Sequence, residues 1–118
     1  SPELDGLVDR KNYGETKYLD PVETAQRMAD ELHRRKCDLV VCISHLGWEE
    51  QGMGDPLLVS RTRGIDLVLG GHSHTYFKTL RYVKNLDGKE IPVDQNGKHG
   101  IFIGKMTLTM MPAPKVRR

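Results

Sequence analysis

The chain has 118 residues, enough for one compact domain but too few for two. Its hydrophobic fraction is 37%, its charged fraction is 29% and its formal net charge is +2, which is typical of a globular chain and does not indicate binding to a nucleic-acid polymer. No apolar run approaches the length needed to cross a bilayer, so no membrane span is expected. We expect Ser1, which is not preceded by a methionine or a signal peptide, to be a processing point or an artificial boundary.

The first clear element is a helix that begins near Asp20. Residues 1–19 show no lasting period and are expected to be loop, with a short strand over 4–8 as an alternative. Asp20-Pro21 places a capping acid before a proline in the first helical turn, and apolar residues then recur at spacings of three and four. We expect the helix to end at the cations of residues 34–36, whose charge suits its carboxyl end.

Two short apolar runs, residues 39–43 and 65–69, enclose a second predicted helix. Asp55-Pro56 provides a start signal for this helix and Gly64 a stop signal. The first run is continuous, β-branched and does not alternate with polar residues, which is typical of parallel strands covered on both faces. The sequence therefore predicts a strand-helix-strand unit.

Three histidines are expected at the carboxyl ends of these two strands. His45 follows the first run, and His72 and His74 follow the second run within the motif Gly-Gly-His-Ser-His. The carboxyl ends of parallel strands meet at one edge of the sheet, where ligands bind in open α/β folds. Imidazoles that converge there favour a metal site over a solvated pair of histidines.

Several neighbouring residues have a plain structural explanation. We expect Ser44 and Ser73 to hold their turns, with orientation of an imidazole as the alternative role. Asp55 is expected to cap the second helix rather than to bind metal. Cys37 and Cys42 are expected to be free thiols, because extended backbone holds them too far apart to pair.

The last third of the chain predicts antiparallel strands. Residues 79–83 and 90–94 flank an Asp-Gly turn at 87–88, the pattern of a β-hairpin. Residues 101–110 alternate in part and are expected to form a longer strand, which the prolines at 112 and 114 would end. Antiparallel strands after a parallel unit indicate a mixed sheet or a sandwich.

The histidine motifs also identify a resemblance to a known family. The matching residues are 38–47, 64–74, the Asp-Gly-Lys of 87–89, Gln95, Gly97, Gly100 and Gly104. They resemble the second half of the catalytic domain of the 5′-nucleotidase family, within the calcineurin-like metallophosphoesterases. The resemblance implies an α/β fold, half of an α/β/β/α sandwich, in which a parallel βαβ unit is followed by antiparallel hairpins. Residues 1–111 would be this half-domain and residues 112–118, with their basic end, a solvated tail.

The resemblance implies a metal-dependent phosphoesterase that hydrolyses nucleoside 5′-monophosphates to nucleoside and phosphate. Position by position, His45 and His72 resemble ligands of one metal ion, and His74 resembles a ligand of the other. In the complete protein the resemblance implies two divalent ions, of zinc, manganese or iron, which activate water and clamp the phosphate. It leaves open whether the isolated chain holds either ion. It also implies a nucleotide substrate and a periplasmic, secreted or cell-surface location.

The family's first half-domain has no counterpart in this sequence. Its Asp-x-His strand end, its bridging aspartate and its Asn-His-Glu or Asn-His-Asp turn are all missing, and so is the domain that recognises the nucleoside. We therefore expect a fragment that carries no catalytic residue, is inactive alone and self-associates through a sheet face that the missing half would cover. Alternative functions are a 2′,3′-cyclic nucleotide phosphodiesterase or nucleotide-sugar hydrolase of the same family, or a non-catalytic metal-binding module.

Overall fold

The computed structural model describes residues 8–48 and 52–113. The alternative strand at 4–8 falls almost entirely outside these ranges, and the basic end of the predicted tail lies outside them as well. The predicted N-terminal loop contains a short 3-10 helix, Arg10–Asn12. Within the described ranges, no helix is both long enough and apolar enough to cross a membrane.

The first α-helix, α1, spans Pro21–Arg34 and begins as predicted. The Asp20 carboxylate accepts a hydrogen bond of 2.8 Å from the Glu23 backbone N–H, which confirms the capping interaction. Glu31 near its other end forms ion pairs with Arg34 and Arg35. Local sequence signals therefore define both ends of this helix.

Two polar side chains of α1 fasten it to the segment that precedes the second apolar run. The Gln26 amide pairs with the backbone of Arg63, accepting from its N–H at 2.8 Å and donating to its carbonyl at 3.1 Å. His33 Nε2 lies 2.7 Å from the Gly64 carbonyl oxygen. These contacts set the position of α1 relative to the end of the sheet where the parallel strands begin.

Four strands form one mixed sheet in the order β1-β2-β4-β3. The strands are β1 (Val41–Ile43), β2 (Leu67–Leu69), β3 (Arg81–Lys84) and β4 (Glu90–Asp94), and helix α2 (Asp55–Ser60) connects the first two. β1 pairs parallel with β2, which confirms the predicted strand-helix-strand unit. β3 and β4 form the predicted antiparallel hairpin, and β4 also pairs parallel with β2. Three strands therefore end at the same edge of the sheet.

The core lies between one face of the sheet and the two helices. It consists of Ala29, Val40, Leu58, Val59, Ile65, Val68, Ile91 and Val93. The opposite face of β1 is open, since Val41 is 38% exposed and Ile43 is 85% exposed. The prediction that this strand is covered on both faces is therefore wrong, because α1 and α2 contribute to the core on one side while the described residues leave the other side exposed.

The predicted strand at 101–110 does not form. Residues 101–113 belong to no helix or strand, and Ile103 is 94% exposed. The described part of the chain contains one hairpin and an isolated antiparallel bridge between Tyr76 and Asn96. An alternating pattern predicts which side chains would share a face, but a strand also needs a neighbouring backbone to supply hydrogen bonds.

Candidate metal centre

Two of the predicted ligands meet at the carboxyl edge of the sheet. The imidazoles of His45 and His72 contact each other edge to face, with ring centroids 5.0 Å apart and an interplanar angle of 74°. Gly71 allows this approach, because a Cβ there would stand 3.1 Å from His45 Nδ1. The turn after β2 therefore lies directly against the imidazole that follows β1.

His74 lies on the same turn but has a different neighbour. Its ring centroid is 6.4 Å from that of His99, and its side chain is exposed. Within residues 8–48 and 52–113, no group of three histidine, cysteine or acidic side chains is close enough to hold a metal ion. The donor type of the pair formed by His45 and His72 fits zinc, manganese or iron, but the pair is an incomplete ligand set.

The backbone at both histidines of the second turn is left-handed. His72 has φ of 78° and His74 has φ of 58°. This region is uncommon for residues other than glycine and costs on the order of 1–3 kcal/mol where the surroundings impose it. Strain of this kind concentrates at functional sites, so the conformation of this turn supports a role for its side chains.

Asp55 is buried and does not cap α2. The residue before the helix is Gly54, which makes no side-chain capping bond. Asp55 is 0% exposed, and its Oδ1 accepts a 2.5 Å hydrogen bond from the Ser44 hydroxyl. The prediction of a capping role is therefore wrong. A Cβ at Gly70 would overlap Asp55 Oδ2, so the end of β2 needs glycine to pass over this carboxyl group.

Burial raises the pKa of the Asp55 carboxyl group above its ordinary value, and the hydrogen bond from Ser44 opposes part of this effect. Burial, with a smaller contribution from Asp55, also raises the pKa of the Cys42 thiol. Cys37 and Cys42 are both free, as predicted.

Both serines have the turn role that the sequence favoured. The Ser44 hydroxyl accepts a hydrogen bond from the Leu46 backbone N–H at 3.2 Å, which closes the turn around the intervening histidine. The Ser73 hydroxyl accepts a 3.0 Å hydrogen bond from the Trp48 backbone N–H. This second contact joins the loop after β1 directly to the turn after β2.

Gln95 is a site residue whose structural role the sequence analysis missed. Its side chain is 1% exposed, and its Oε1 accepts hydrogen bonds from the Ser73 hydroxyl at 3.1 Å and from the Thr75 N–H at 2.7 Å. The signal was present, because the period of two that buries Ile91 and Val93 also points residue 95 inward. A polar residue in an inward register marks a specific contact.

An apolar groove lies beside the first imidazole. It has a volume of about 330 Å³ and is bounded by the start of α1 and the end of β1, with Leu19, Met28, Ile43 and His45 in its walls. Among the described residues, no acidic side chain lines it. The groove therefore adds apolar surface at this edge of the sheet, and that part of the chain supplies no carboxylate ligand to it.

Comparisons with known proteins relate the chain to nucleotide-hydrolysing enzymes. No family model matches it. It is 27% identical over 114 residues to a 5′-nucleotidase from Diplobatis ommata, a match that covers 86% of this chain and 19% of that protein. It is 26% identical over 119 residues to a trifunctional nucleotide phosphoesterase protein from Bacillus subtilis (strain 168), covering 89% of this chain and 8% of that protein.

A solved structure has the same fold. The 5′-nucleotidase precursor from Thermus thermophilus matches with a TM-score of 0.57 and 36% sequence identity, over 65% of this chain and 17% of that chain. The chain therefore spans about a fifth or less of the length of these relatives.

The mixed sheet and these similarities relate the chain to proteins named as nucleotide phosphoesterases. Its similarity to 5′-nucleotidases confirms the resemblance that its two histidine motifs carry. The α/β fold that the resemblance implied is confirmed with it.

The raised pKa of Asp55 predicts that stability depends on pH. The folded state favours the protonated carboxyl group. Its contribution to the free energy of unfolding is therefore complete below the ordinary pKa of 3.8 and is lost as the pH rises through the higher pKa of the folded state. Asp55→Asn, which stays neutral and can still accept from Ser44, should gain stability relative to the wild type as pH rises from 3.8. Urea unfolding followed by Trp48 fluorescence at a series of pH values measures this difference, and a difference that is constant with pH would contradict the expectation.

Proposed function

We propose that this chain supplies part of the metal centre of a phosphoesterase that hydrolyses nucleoside 5′-monophosphates to nucleoside and phosphate. The observation that carries the proposal is the contact between the His45 and His72 imidazoles at the carboxyl edge of the parallel strands. Similarity to 5′-nucleotidases supports the choice of reaction and substrate.

In this proposal His45 and His72 bind one divalent ion and His74 binds a second. A divalent ion at each place would supply a Lewis acid for the phosphate and lower the pKa of coordinated water. The histidines must be neutral to act as ligands, and their turns must hold the rings at fixed positions. The left-handed backbone at His72 and His74 supports such a fixed arrangement.

We further propose that the remaining ligands and the catalytic residue come from sequence of the kind found in the family's first half-domain. A catalytic ion commonly has three protein ligands, whereas the described residues bring two imidazoles together. The site would then be completed by elements outside this chain. By resemblance we place the complete protein in the periplasm, outside the cell or at the cell surface.

A broader substrate range is the second candidate. Similarity to a trifunctional nucleotide phosphoesterase favours it. Rates measured on the full-length protein with 5′-AMP, a 2′,3′-cyclic nucleotide and a nucleotide sugar would separate the two candidates.

Replacing either paired histidine should strongly reduce metal-dependent hydrolysis in the full-length protein. We expect His45→Asn and His72→Asn to lower kcat/KM for 5′-AMP by more than about 100-fold, because losing a ligand exceeds the ~10–100-fold effect of losing a residue behind one. His33→Gln is the matched control, since His33 contacts Gly64 at the opposite end of the sheet. Phosphate release with added Mn²⁺ or Zn²⁺ measures the effect, and full activity of either variant would refute the ligand assignment.

The purified 118-residue chain should release no phosphate from 5′-AMP. The structure brings two imidazoles together in it, and a catalytic centre needs a larger donor set. The assay is the same one, with Mn²⁺ and Zn²⁺ supplied in turn. Hydrolysis that chelation abolishes would overturn this expectation.

The same chain should self-associate through the open face of β1. Ile43 and Val41 expose apolar surface there, and apolar surface of this kind is commonly buried by association. We expect Ile43→Lys to shift the sedimentation coefficient toward the monomer at high concentration. Leu86→Lys, at an exposed position in the β3–β4 turn, is the matched control and should leave association unchanged. A wild-type chain that sediments as a monomer throughout would exclude this interface.

A further inference from the structure

Two fully buried polar side chains lie beneath the histidine turns. Asp55 is 0% exposed and Gln95 is 1% exposed, in a core that is otherwise largely apolar. Burying a carboxyl group or an amide is unfavourable unless hydrogen bonds compensate for the lost water. The contacts of these two groups therefore indicate what they hold in place.

Asp55 holds the turn around the first histidine. Its Oδ1 accepts from the Ser44 hydroxyl at 2.5 Å, and the same hydroxyl accepts from the Leu46 N–H at 3.2 Å. Ser44 and Leu46 are the two neighbours of His45 in the chain. The carboxyl group thus fixes the backbone on both sides of this imidazole without being bonded to the ring.

Gln95 holds the turn around the second and third histidines. Its Oε1 accepts from the Ser73 hydroxyl and from the Thr75 N–H, and these two residues flank His74. The Ser73 hydroxyl also accepts from the Trp48 N–H and lies 2.8 Å from the Thr75 hydroxyl. If the Thr75 hydroxyl is the donor, the one proton and two lone pairs of Ser73 are all used. The network therefore fixes this turn relative to the loop that follows His45.

The two halves of the network converge beneath Gly70. Oδ2 of Asp55 and Nε2 of Gln95 are both buried and have no hydrogen-bond partner among the described residues. A Cβ at Gly70 would overlap this Asp55 oxygen and stand 3.4 Å from the Gln95 nitrogen. In its ionised form Asp55 offers an acceptor at Oδ2 and Gln95 offers a donor at Nε2, and both atoms lie next to the same glycine.

We propose that Asp55 and Gln95 are positioning residues that set the placement of His45, His72 and His74 for divalent-ion binding. This inference rests on the proposed function, because it assumes that these histidines bind metal. Neither residue is proposed to touch the ion or the substrate. Both act through the serine hydroxyls and the backbone of the two turns.

The test is the Mn²⁺ affinity of the full-length protein, measured by titration with electron paramagnetic resonance. Asp55→Ala removes the acceptor for Ser44, and Gln95→Met keeps the volume but removes the acceptor for Ser73. Each should weaken Mn²⁺ binding by about tenfold or more, as expected when a residue behind a ligand is lost. Asp55→Asn keeps the acceptor and should stay within about threefold of the wild-type affinity, well above the Ala variant.

Thr62→Ala separates positioning from a general loss of stability. Thr62 is also buried, at 1% exposure, but it follows α2 and its hydroxyl donates to the Leu58 carbonyl of that helix at 2.9 Å. It should lower the urea midpoint while leaving Mn²⁺ affinity unchanged. Wild-type affinity in Asp55→Ala and Gln95→Met, or equal weakening by Thr62→Ala, would overturn the proposal.

Two further variants complete the test. If Asp55→Ala does not fold, Ser44→Ala removes the same hydrogen bond from a half-buried position, and wild-type affinity in that variant would count against the proposal. His45→Ala tests the metal centre itself. If it binds Mn²⁺ as the wild type does, the proposed function fails. If it loses binding while Asp55→Ala and Gln95→Met do not, the positioning role alone fails.

Discussion

The parallel pairing of β1, β2 and β4 is the constraint on which the rest of this structure depends. Parallel strands cannot be joined by tight turns, so each needs a crossover before the chain returns to the same edge. Helix α2 supplies the first crossover, and the segment containing β3 supplies the second. Three segments therefore meet at this edge, namely the turns after Ile43 and Leu69 and the residues after Asp94. Up to about fifty positions separate them in sequence.

The two histidine turns approach each other closely at this edge of the sheet, with glycines at the points of contact and buried polar side chains under them. Gly70 passes over the Asp55 carboxyl group, and Gly71 lies against the His45 ring. Beneath these glycines the chain buries the Asp55 carboxyl group and the Gln95 amide, although apolar side chains could fill the same space. Such groups are retained when their hydrogen bonds define a specific geometry, and here that geometry is the spacing of two histidine turns.

The open side of the sheet has a different physical character. One face of β1 exposes apolar side chains that the core does not reach, and several apolar residues of the irregular segment 101–113 are exposed as well. The periodic pattern of Ile101 and Ile103 was a sound indication of strand propensity, but propensity does not create a pairing partner. A segment can therefore have the sequence of a strand and still form none in the described part of the fold.

The sequence by itself determined the features that depend on neighbours in the chain. The start of α1 at Asp20-Pro21 and the Asp-Gly turn at 87–88 depend on residues next to one another in the chain. The two apolar runs predicted parallel strands, and the carboxyl ends of such strands share the edge that carries His45 and His72. Tertiary structure alone decided that Asp55 would be buried under a glycine and that Gln95 would reach Ser73. Those contacts join residues far apart in sequence, so no local pattern specifies them, and they form once the parallel strands bring the turns to one edge.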